Sequence, residues 1–238
     1  MRSRLYAIIS VLLFGLLYCY TAIGVFIVLI FVMLKMKRPV HIMFQLWAKS
    51  VFIIIGKRFK VHGLENIKKE KKYILVANHA SLFDIVAITS FYPEISWFGH
   101  ERLLKVPLFN KILKMTDYVP FKEPNYRNTR EMIEQLAYKS KQKTIAIFPE
   151  GTRTLNGRIN TFYRGFIHLF RTRDLEILPV TLNGFYDLKP KNRMYINFDS
   201  KLDIIIHKPI KKTELAEKTD MEIIDTVKGI IASAYKTY

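Results

Sequence analysis

The sequence contains a single cysteine, Cys19, among its 238 residues. One thiol can form neither an intramolecular disulfide nor a cysteine-rich zinc cluster. Acidic residues are also scarce, because Asp and Glu total 20 against 38 Lys and Arg, and none precedes Glu65. The formal charge of +18 indicates an anionic partner, such as nucleic acid, a phospholipid surface or a phosphorylated substrate.

A long apolar run occupies the amino terminus. Leu5–Leu34 carries no formal charge, and as a helix it would extend roughly 45 Å, which exceeds the bilayer core of about 30 Å. The apolar region of a cleaved signal peptide is much shorter, so we expect an uncleaved membrane anchor. Cations flank both ends of the run. The topology of this segment therefore remains open. It is either a tilted helix that spans the membrane or a helix bent near Gly15 or Thr21–Gly24 that enters one leaflet.

A second apolar stretch, Val40–Ile55, follows Pro39. It is short for a membrane span but long enough to lie in the interface, where Trp47 and Lys49 suit the level of the lipid headgroups. We therefore predict amino-terminal membrane helices over residues 1–56 and an α/β domain over residues 57–238.

Beyond residue 56, short β-rich runs alternate with amphipathic stretches. This alternation predicts an α/β fold with a mixed, mostly parallel sheet covered by helices. The predicted strands are Tyr73–Ala77, Ile95–Phe98, Thr144–Phe148, Ile177–Leu182, Tyr195–Phe198 and Leu202–Ile206. The predicted helices are Leu82–Phe91, Leu103–Met115, Asn125–Lys141 and Thr213–Tyr235.

The first candidate for chemistry is the segment NHASLFD, Asn78 to Asp84, which joins a predicted strand to a predicted helix. Ligands of open α/β sheets bind at the carboxyl ends of strands. If His79 lies in the turn and Asp84 in the first helical turn, the carboxylate can fix the tautomer of the imidazole. The other ring nitrogen is then a general base. A purely structural role, with His79 ending the strand and Asp84 starting the helix, remains open.

The second candidate is FPEGTR, Phe148 to Arg153, which directly follows another predicted strand. Pro149 ends the strand, Gly151 permits a sharp backbone path, and Arg153 offers a planar guanidinium suited to phosphate. Taken alone, the segment is equally consistent with a surface turn that carries a Glu–Arg pair.

Together, NHxxxxD and FPEGTR about seventy residues later resemble the motifs of the lysophospholipid acyltransferase family, which includes the 1-acylglycerol-3-phosphate acyltransferases. The resemblance extends from about Val61 to Gly184, because LPVT at Leu178–Thr181 is similar to a later motif of the family. The sequence departs from the family at Lys122, where an arginine is usual, and at His100, where a lysine is often found.

The resemblance implies acyl transfer from acyl-CoA or acyl-carrier protein to the sn-2 hydroxyl of 1-acylglycerol 3-phosphate, giving phosphatidic acid. His79 would remove the hydroxyl proton and Asp84 would orient His79, with no acyl-enzyme intermediate. The residues implied to bind substrate are Asn78, Lys122, Glu150, Gly151, Thr152 and Arg153.

The expected partners are the thioester donor, a lysophosphatidic acid acceptor and membrane lipid. We expect the catalytic domain on the cytoplasmic face of a membrane. The other histidines lack metal-ligand spacing, so we expect no metal and no other cofactor.

Two other functions remain open: an acyltransferase for a different lysophospholipid and a non-catalytic, membrane-anchored lipid-binding protein. The charge alone would also suit a nucleic-acid-binding protein. However, no recognised RNA-binding signature is present, so we expect no nucleic-acid partner.

Overall fold

A seven-stranded sheet lies at the centre of the protein, whose computed structural model describes residues 2–105, 113, 118–121, 134–136 and 138–236. The strands are β1 (Phe59–His62), β2 (Tyr73–Ala77), β3 (Ile95–His100), β4 (Val119–Phe121), β5 (Thr144–Ile147), β6 (Glu176–Asn183) and β7 (Leu202–Ile206). Their spatial order is β1-β7-β6-β2-β5-β3-β4. All neighbouring pairs are parallel except β6 and β7, so the predicted mixed, mostly parallel sheet is confirmed.

Helices cover both faces of this sheet. They are α1 (Arg2–Met33), α2 (Lys37–Ile54), α3 (Phe83–Phe91), α4 (Gly165–Thr172), α5 (Phe185–Leu188) and α6 (Asp220–Ser233). Short 3-10 helices span Leu64–Asn66, Glu101–Lys105 and Lys212–Leu215.

Strand β2 shows how the sheet divides the core. Tyr73, Leu75 and Ala77 pack in the cluster that includes α2 and α3, whereas Ile74 and Val76 pack in the cluster that includes α4 and α6. All five side chains are fully buried, because helices cover both faces of a mostly parallel sheet. Such a strand needs apolar residues at every position, and the sequence supplies them.

Helices α1 and α2 run in opposite directions against each other. Trp47 Nε1 donates to Thr21 Oγ1 at 3.1 Å, and Val28 packs against Val40 nearer the connection. Within the described residues, α1 is the one helix that is long and apolar enough to cross a membrane. In its apolar stretch, 11% of the residues are buried inside the protein. It runs without interruption through Gly15.

Helix α2 also belongs to the main core. Ala48, Val51, Phe52 and Ile55 lie in the same cluster as the buried residues of β2. The amino-terminal helices therefore rest directly on the sheet side that α3 covers, and the domain boundary after residue 56 stays a prediction.

The predicted strand Tyr195–Phe198 is wrong, because this segment is irregular. The Ile196 N–H donates to Ser10 Oγ of α1 at 2.9 Å, and the Asn197 N–H donates to the Leu188 carbonyl at 2.8 Å. These two backbone donors are thus satisfied by residues of α1 and α5. The burial of Ile196 explains why the segment has the apolar character of a strand.

The predicted helix Thr213–Tyr235 is two elements. A 3-10 helix ends at Leu215, and α6 begins only after Thr219. The Thr219 hydroxyl accepts from the Glu222 N–H, and the Glu222 carboxylate accepts from the Thr219 N–H. This capping box starts a new helix and so separates the two parts of the apolar pattern.

Some elements of the structure were not predicted, and two predicted helices lie largely outside the residues that the structure describes. The prediction omitted β1, β4, α4 and α5. Strand β1 has four residues with alternating exposure, which is a weak signal in a lysine-rich segment. Most of the predicted helices Leu103–Met115 and Asn125–Lys141 lie outside the described residues, although residues 134–136 are helical.

Candidate active site

The turn between β2 and α3 brings His79 and Asp84 into contact. His79 Nδ1 and Asp84 Oδ2 lie 2.8 Å apart. The same carboxylate oxygen accepts the backbone N–H groups of Ala80 and Ser81 at 2.7 and 2.8 Å. Asp84 is fully buried, and these donors compensate the removal of its charge from water. The arrangement aims the carboxylate at one nitrogen of the imidazole.

The face of the His79 ring is held by an aromatic stack. Its centroid lies 4.0 Å from that of Phe148, with the planes 15° apart. Behind it, Trp97 stacks on Phe148 at 5.5 Å. The side chain of His79 keeps 16% of its exposure, and Nε2 has no hydrogen-bond partner in the described part of the chain. The aromatic stack and the Asp84 carboxylate together orient the His79 ring and leave its Nε2 available to a ligand.

Glu150 joins the two sequence motifs through the main chain. Its Oε1 accepts the His79 N–H at 2.6 Å, and its Oε2 accepts the Asn160 N–H at 2.8 Å. The Thr154 N–H in turn donates to the His79 carbonyl at 2.9 Å. Burial raises the pKa of Glu150, and the two backbone donors act in the opposite direction. Both carboxylate oxygens therefore hold backbone in place.

The rest of the FPEGTR segment is more open. Gly151 has a φ of +66°, in the left-handed region that glycine adopts without strain. Gly151 and Thr152 are exposed, and Arg153 is half-buried. Within the described chain, Arg153 makes no hydrogen bond and no ion pair. Arg153 directly precedes Thr154, whose N–H bonds to His79, and the Arg153 guanidinium, without a partner among the described residues, is available to an anion.

Asn78 makes its contacts with the neighbouring strand. Its Nδ2 donates to the Leu182 carbonyl at 3.0 Å, and its Oδ1 accepts the Leu182 N–H at 2.8 Å. The amide thus extends the pairing of β2 with β6 beyond the end of β2. A substrate-binding role for Asn78 stays a prediction.

Other residues singled out in the sequence cannot be placed. Lys122 lies outside the described residues, and so does the side chain of His100. Among the residues that are described, no group of three His, Cys, Asp or Glu side chains could hold a metal ion.

Sequence reasoning missed the aromatic stack. Trp97 was treated only as part of a strand and Phe148 only as the end of one. The available signal was that both aromatic residues lie at or next to the carboxyl ends of predicted strands, which a parallel sheet can place side by side. Nothing local identified β5 as the strand that lies next to both β2 and β3.

Replacement of Glu150 by Gln tests the link between the motifs. The side-chain amide group would direct its own N–H donors at the N–H of either His79 or Asn160. We expect the free energy of unfolding to fall by about 1–3 kcal/mol, as measured by denaturant titration in detergent. Glu217→Gln, at an exposed position, is the matched control. Equal stability of the two variants would show that these bonds do not hold the turn.

The chain is similar to proteins of one known family. The sequence profile of the family Acyltransferase matches residues 58–183. A chloroplastic 1-acyl-sn-glycerol-3-phosphate acyltransferase of Arabidopsis thaliana is 27% identical over 172 residues, which are 71% of this chain and 48% of that protein. The chain thus spans about half the length of the plant relative. The corresponding enzyme of Borreliella burgdorferi is 28% identical over 172 residues, or 71% of this chain and 68% of that one.

A solved structure is similar over almost the whole chain. It is the crystal structure of the 1-acyl-sn-glycerophosphate (LPA) acyltransferase of Thermotoga maritima. The TM-score is 0.82 at 26% identity, with 98% of this chain and 100% of that chain covered. The similarity includes the amino-terminal helices as well as the sheet.

Proposed function

Because the chain belongs to the acyltransferase family, we propose that it transfers an acyl group from a thioester donor to the sn-2 hydroxyl of 1-acylglycerol 3-phosphate. The product is phosphatidic acid, and the donor is acyl-CoA or acyl-carrier protein. The proposal is supported by the relatives named 1-acyl-sn-glycerol-3-phosphate acyltransferase. The observation that carries the chemistry is the contact of His79 Nδ1 with Asp84 Oδ2, which leaves Nε2 free.

In the proposed reaction, His79 acts as general base. With Nδ1–H donated to Asp84, Nε2 accepts the proton of the acceptor hydroxyl while the oxygen attacks the thioester carbonyl. The tetrahedral intermediate collapses by breaking the carbon–sulfur bond, and the imidazolium returns the proton to the leaving thiolate. Asp84 stabilises the transient imidazolium, as in the Ser-His-Asp triad.

The acyl group passes directly from donor to acceptor in this scheme. Ser81, the hydroxyl residue nearest to the pair in sequence, donates its proton to the Lys189 carbonyl at 2.7 Å and not to His79. Cys19 lies exposed on α1, far along the chain from the catalytic turn. Neither side chain is prepared as a nucleophile.

We propose that the α1–α2 hairpin inserts into one leaflet of the membrane. The start of α1 is bound to the α/β domain, because Tyr6 donates to Asp199 and Ser10 accepts from Ile196. From Val25 to Val32 the helix packs, among the described residues, in a small cluster with α2. Eight residues extend about 12 Å, close to half of a bilayer core of about 30 Å.

Apolar side chains lie exposed along the whole of α1, which favours lipid contact throughout its length. They include Leu5, Ile8, Leu12, Leu16, Ile23, Phe26, Ile30 and Met33. A single-chain acceptor lipid could then reach His79 without leaving the membrane surface. We place the catalytic domain on the cytoplasmic face, where water-soluble thioester donors are found.

The proposed activity is tested with the purified full chain in detergent or vesicles. Labelled acyl-CoA and acyl-carrier protein are supplied separately with a panel of lysophospholipids and monoacylglycerol. We expect diacyl product with 1-acylglycerol 3-phosphate as the preferred acceptor. A preference for another lysophospholipid would change the substrate, and a lack of product from every pair would leave a lipid-binding protein without catalysis.

Arg153 is proposed to bind the acceptor phosphate. Arg153→Ala is expected to raise the KM for 1-acylglycerol 3-phosphate about 10- to 100-fold, because a charge-assisted hydrogen bond to phosphate is lost. Initial rates across acceptor concentrations measure this, with kcat changing much less. Arg158→Ala, exposed in the same loop, is the control. A KM unchanged by Arg153→Ala would remove Arg153 from the phosphate site.

A further inference from the structure

The segment after α5 contacts the catalytic turn. Ser81 Oγ donates to the carbonyl of Lys189 at 2.7 Å, while the Ser81 N–H donates to Asp84 Oδ2 at 2.8 Å. That oxygen is the one in contact with His79. Ser81 is itself fully buried, so the backbone position of Lys189 is fixed relative to the catalytic pair.

Helix α5 holds the loop that carries Arg153 as well. The Tyr186 hydroxyl donates to the Leu155 carbonyl at 2.9 Å. A Cβ atom at Gly157 would lie 3.0 Å from the Tyr186 ring, so the loop passes closely over this ring. One short helix therefore positions both Arg153, through its loop, and Lys189, which directly follows the helix.

Lys189 is a half-buried cation whose ammonium group has unused N–H donors. Its Nζ donates to the Arg193 carbonyl at 2.8 Å, and an ammonium group has three N–H donors. The Arg193 guanidinium donates to the carbonyl oxygens of Asp187, Leu188 and Tyr195. Neither cation makes an ion pair with a carboxylate in the described part of the chain.

These two cations and Arg153 form a cluster of like charge. Burial lowers the pKa of Lys189, and the charges of Arg153 and Arg193 lower it further. Arg193 is occupied by backbone carbonyls, which leaves Arg153 and Lys189 with unused donors. Like charges held together without a counter-charge favour the binding of an anion.

The segment that carries Lys189 and Arg193 also contacts α1. Ile196, three residues beyond Arg193, donates its N–H to Ser10 of α1. Met194 is 80% exposed beside Arg193. An apolar tip next to cations suits the boundary between lipid chains and their phosphate groups.

We propose that Lys189 is a second phosphate-binding residue, which together with Arg153 binds the phosphate monoester of the acceptor lipid next to the active site. The inference rests on the proposed function and adds a residue to it. Two cations match the two charges of a phosphate monoester. Phosphate held at this point keeps the sn-2 hydroxyl next to Nε2 of His79.

The test compares Lys189→Met with Lys191→Met, which removes the same charge at an exposed position two residues away. For the first variant we expect a KM for 1-acylglycerol 3-phosphate about tenfold higher than that of the wild type. The KM of the second is expected to stay within about twofold. Lys189→Arg retains the charge and should restore most of the affinity. Thermal melting of each variant confirms that it is folded.

Two further measurements distinguish binding of the acceptor phosphate by Lys189 from binding of the donor phosphates. Monoacylglycerol has no phosphate, so the rate that the wild type shows with it should be the same in Lys189→Met. The KM for the acyl donor should also be unchanged. An equal loss with both acceptors would make Lys189 merely structural, and a raised donor KM with an unchanged acceptor KM would assign it to the donor phosphates. Either outcome overturns the inference.

Failure of the proposed function is distinguishable from failure of this inference. If the wild-type protein forms no product from 1-acylglycerol 3-phosphate, the function itself is wrong. If the wild type is active and Lys189→Met has the wild-type KM, only the assignment of Lys189 is wrong.

Discussion

Replacement of His79 by Ala is expected to reduce turnover at least about a thousandfold. The substitution removes the imidazole, and with it Nε2 as the proton acceptor. The main chain of His79 is unaffected, so Glu150 still accepts its N–H and Thr154 still donates to its carbonyl. The loss should therefore appear in kcat, measured with saturating donor and acceptor, while the protein stays folded.

Membrane binding and folding serve as the checks for this variant. Vesicle flotation should be unchanged, because the substitution leaves the exposed apolar residues of α1 in place. His168→Ala, at an exposed position on α4, is the matched control and should keep full activity. Retention of more than a tenth of the turnover by His79→Ala would assign the general base to another group.

Asp84→Asn is expected to lower kcat by about a hundredfold to ten-thousandfold. Asp84 Oδ2 faces three N–H donors, from His79, Ala80 and Ser81. An asparagine oxygen at that position could keep the contacts, but no negative charge would stabilise the imidazolium. If the amide were reversed, it would donate to Nδ1 and place the proton on Nε2, where the base is needed.

Asp225→Asn, on the exposed face of α6, is the control for this change. The KM for the acceptor should move little, since the carboxylate is buried and its Oδ2 faces His79, Ala80 and Ser81. A variant with a raised KM and the wild-type kcat would show that Asp84 shapes the binding site and does not assist proton transfer.

Elements that depend on local burial were predictable. Strand β2 has the predicted bounds, because five consecutive apolar residues between turn residues can only be covered on both faces. The start of α3 was placed within one residue for a similar reason. The geometry required for contact between His79 and Asp84, a turn followed by the first helical turn, could be stated from the spacing alone.

Elements that depend on distant partners were not predictable. Tyr195–Phe198 has the composition of a strand, yet Ile196 bonds to Ser10 across 186 positions of sequence. The split of the carboxyl-terminal helix has a local signal, the Thr219–Glu222 capping box, that the apolar periodicity concealed. In both cases burial was inferred correctly and the partner was not.

The same distinction holds within the site. Glu150 and Phe148 lie about seventy residues from His79, and no local pattern shows that one binds its backbone and the other covers its ring. Their positions follow from the pairing of β5 with β2. Lys189 belongs to the site only because α5 places it beside Ser81.

The amino-acid sequence by itself determined the long apolar helix at the amino terminus, the α/β class and the two motifs to which we assign the chemistry, since each depends on the character of neighbouring residues. Strand order and helix packing decided which nitrogen of His79 is free, what holds its ring and where the unpaired cations meet. Those properties depend on contacts between segments far apart in the chain, and such contacts exist only once the sheet has formed.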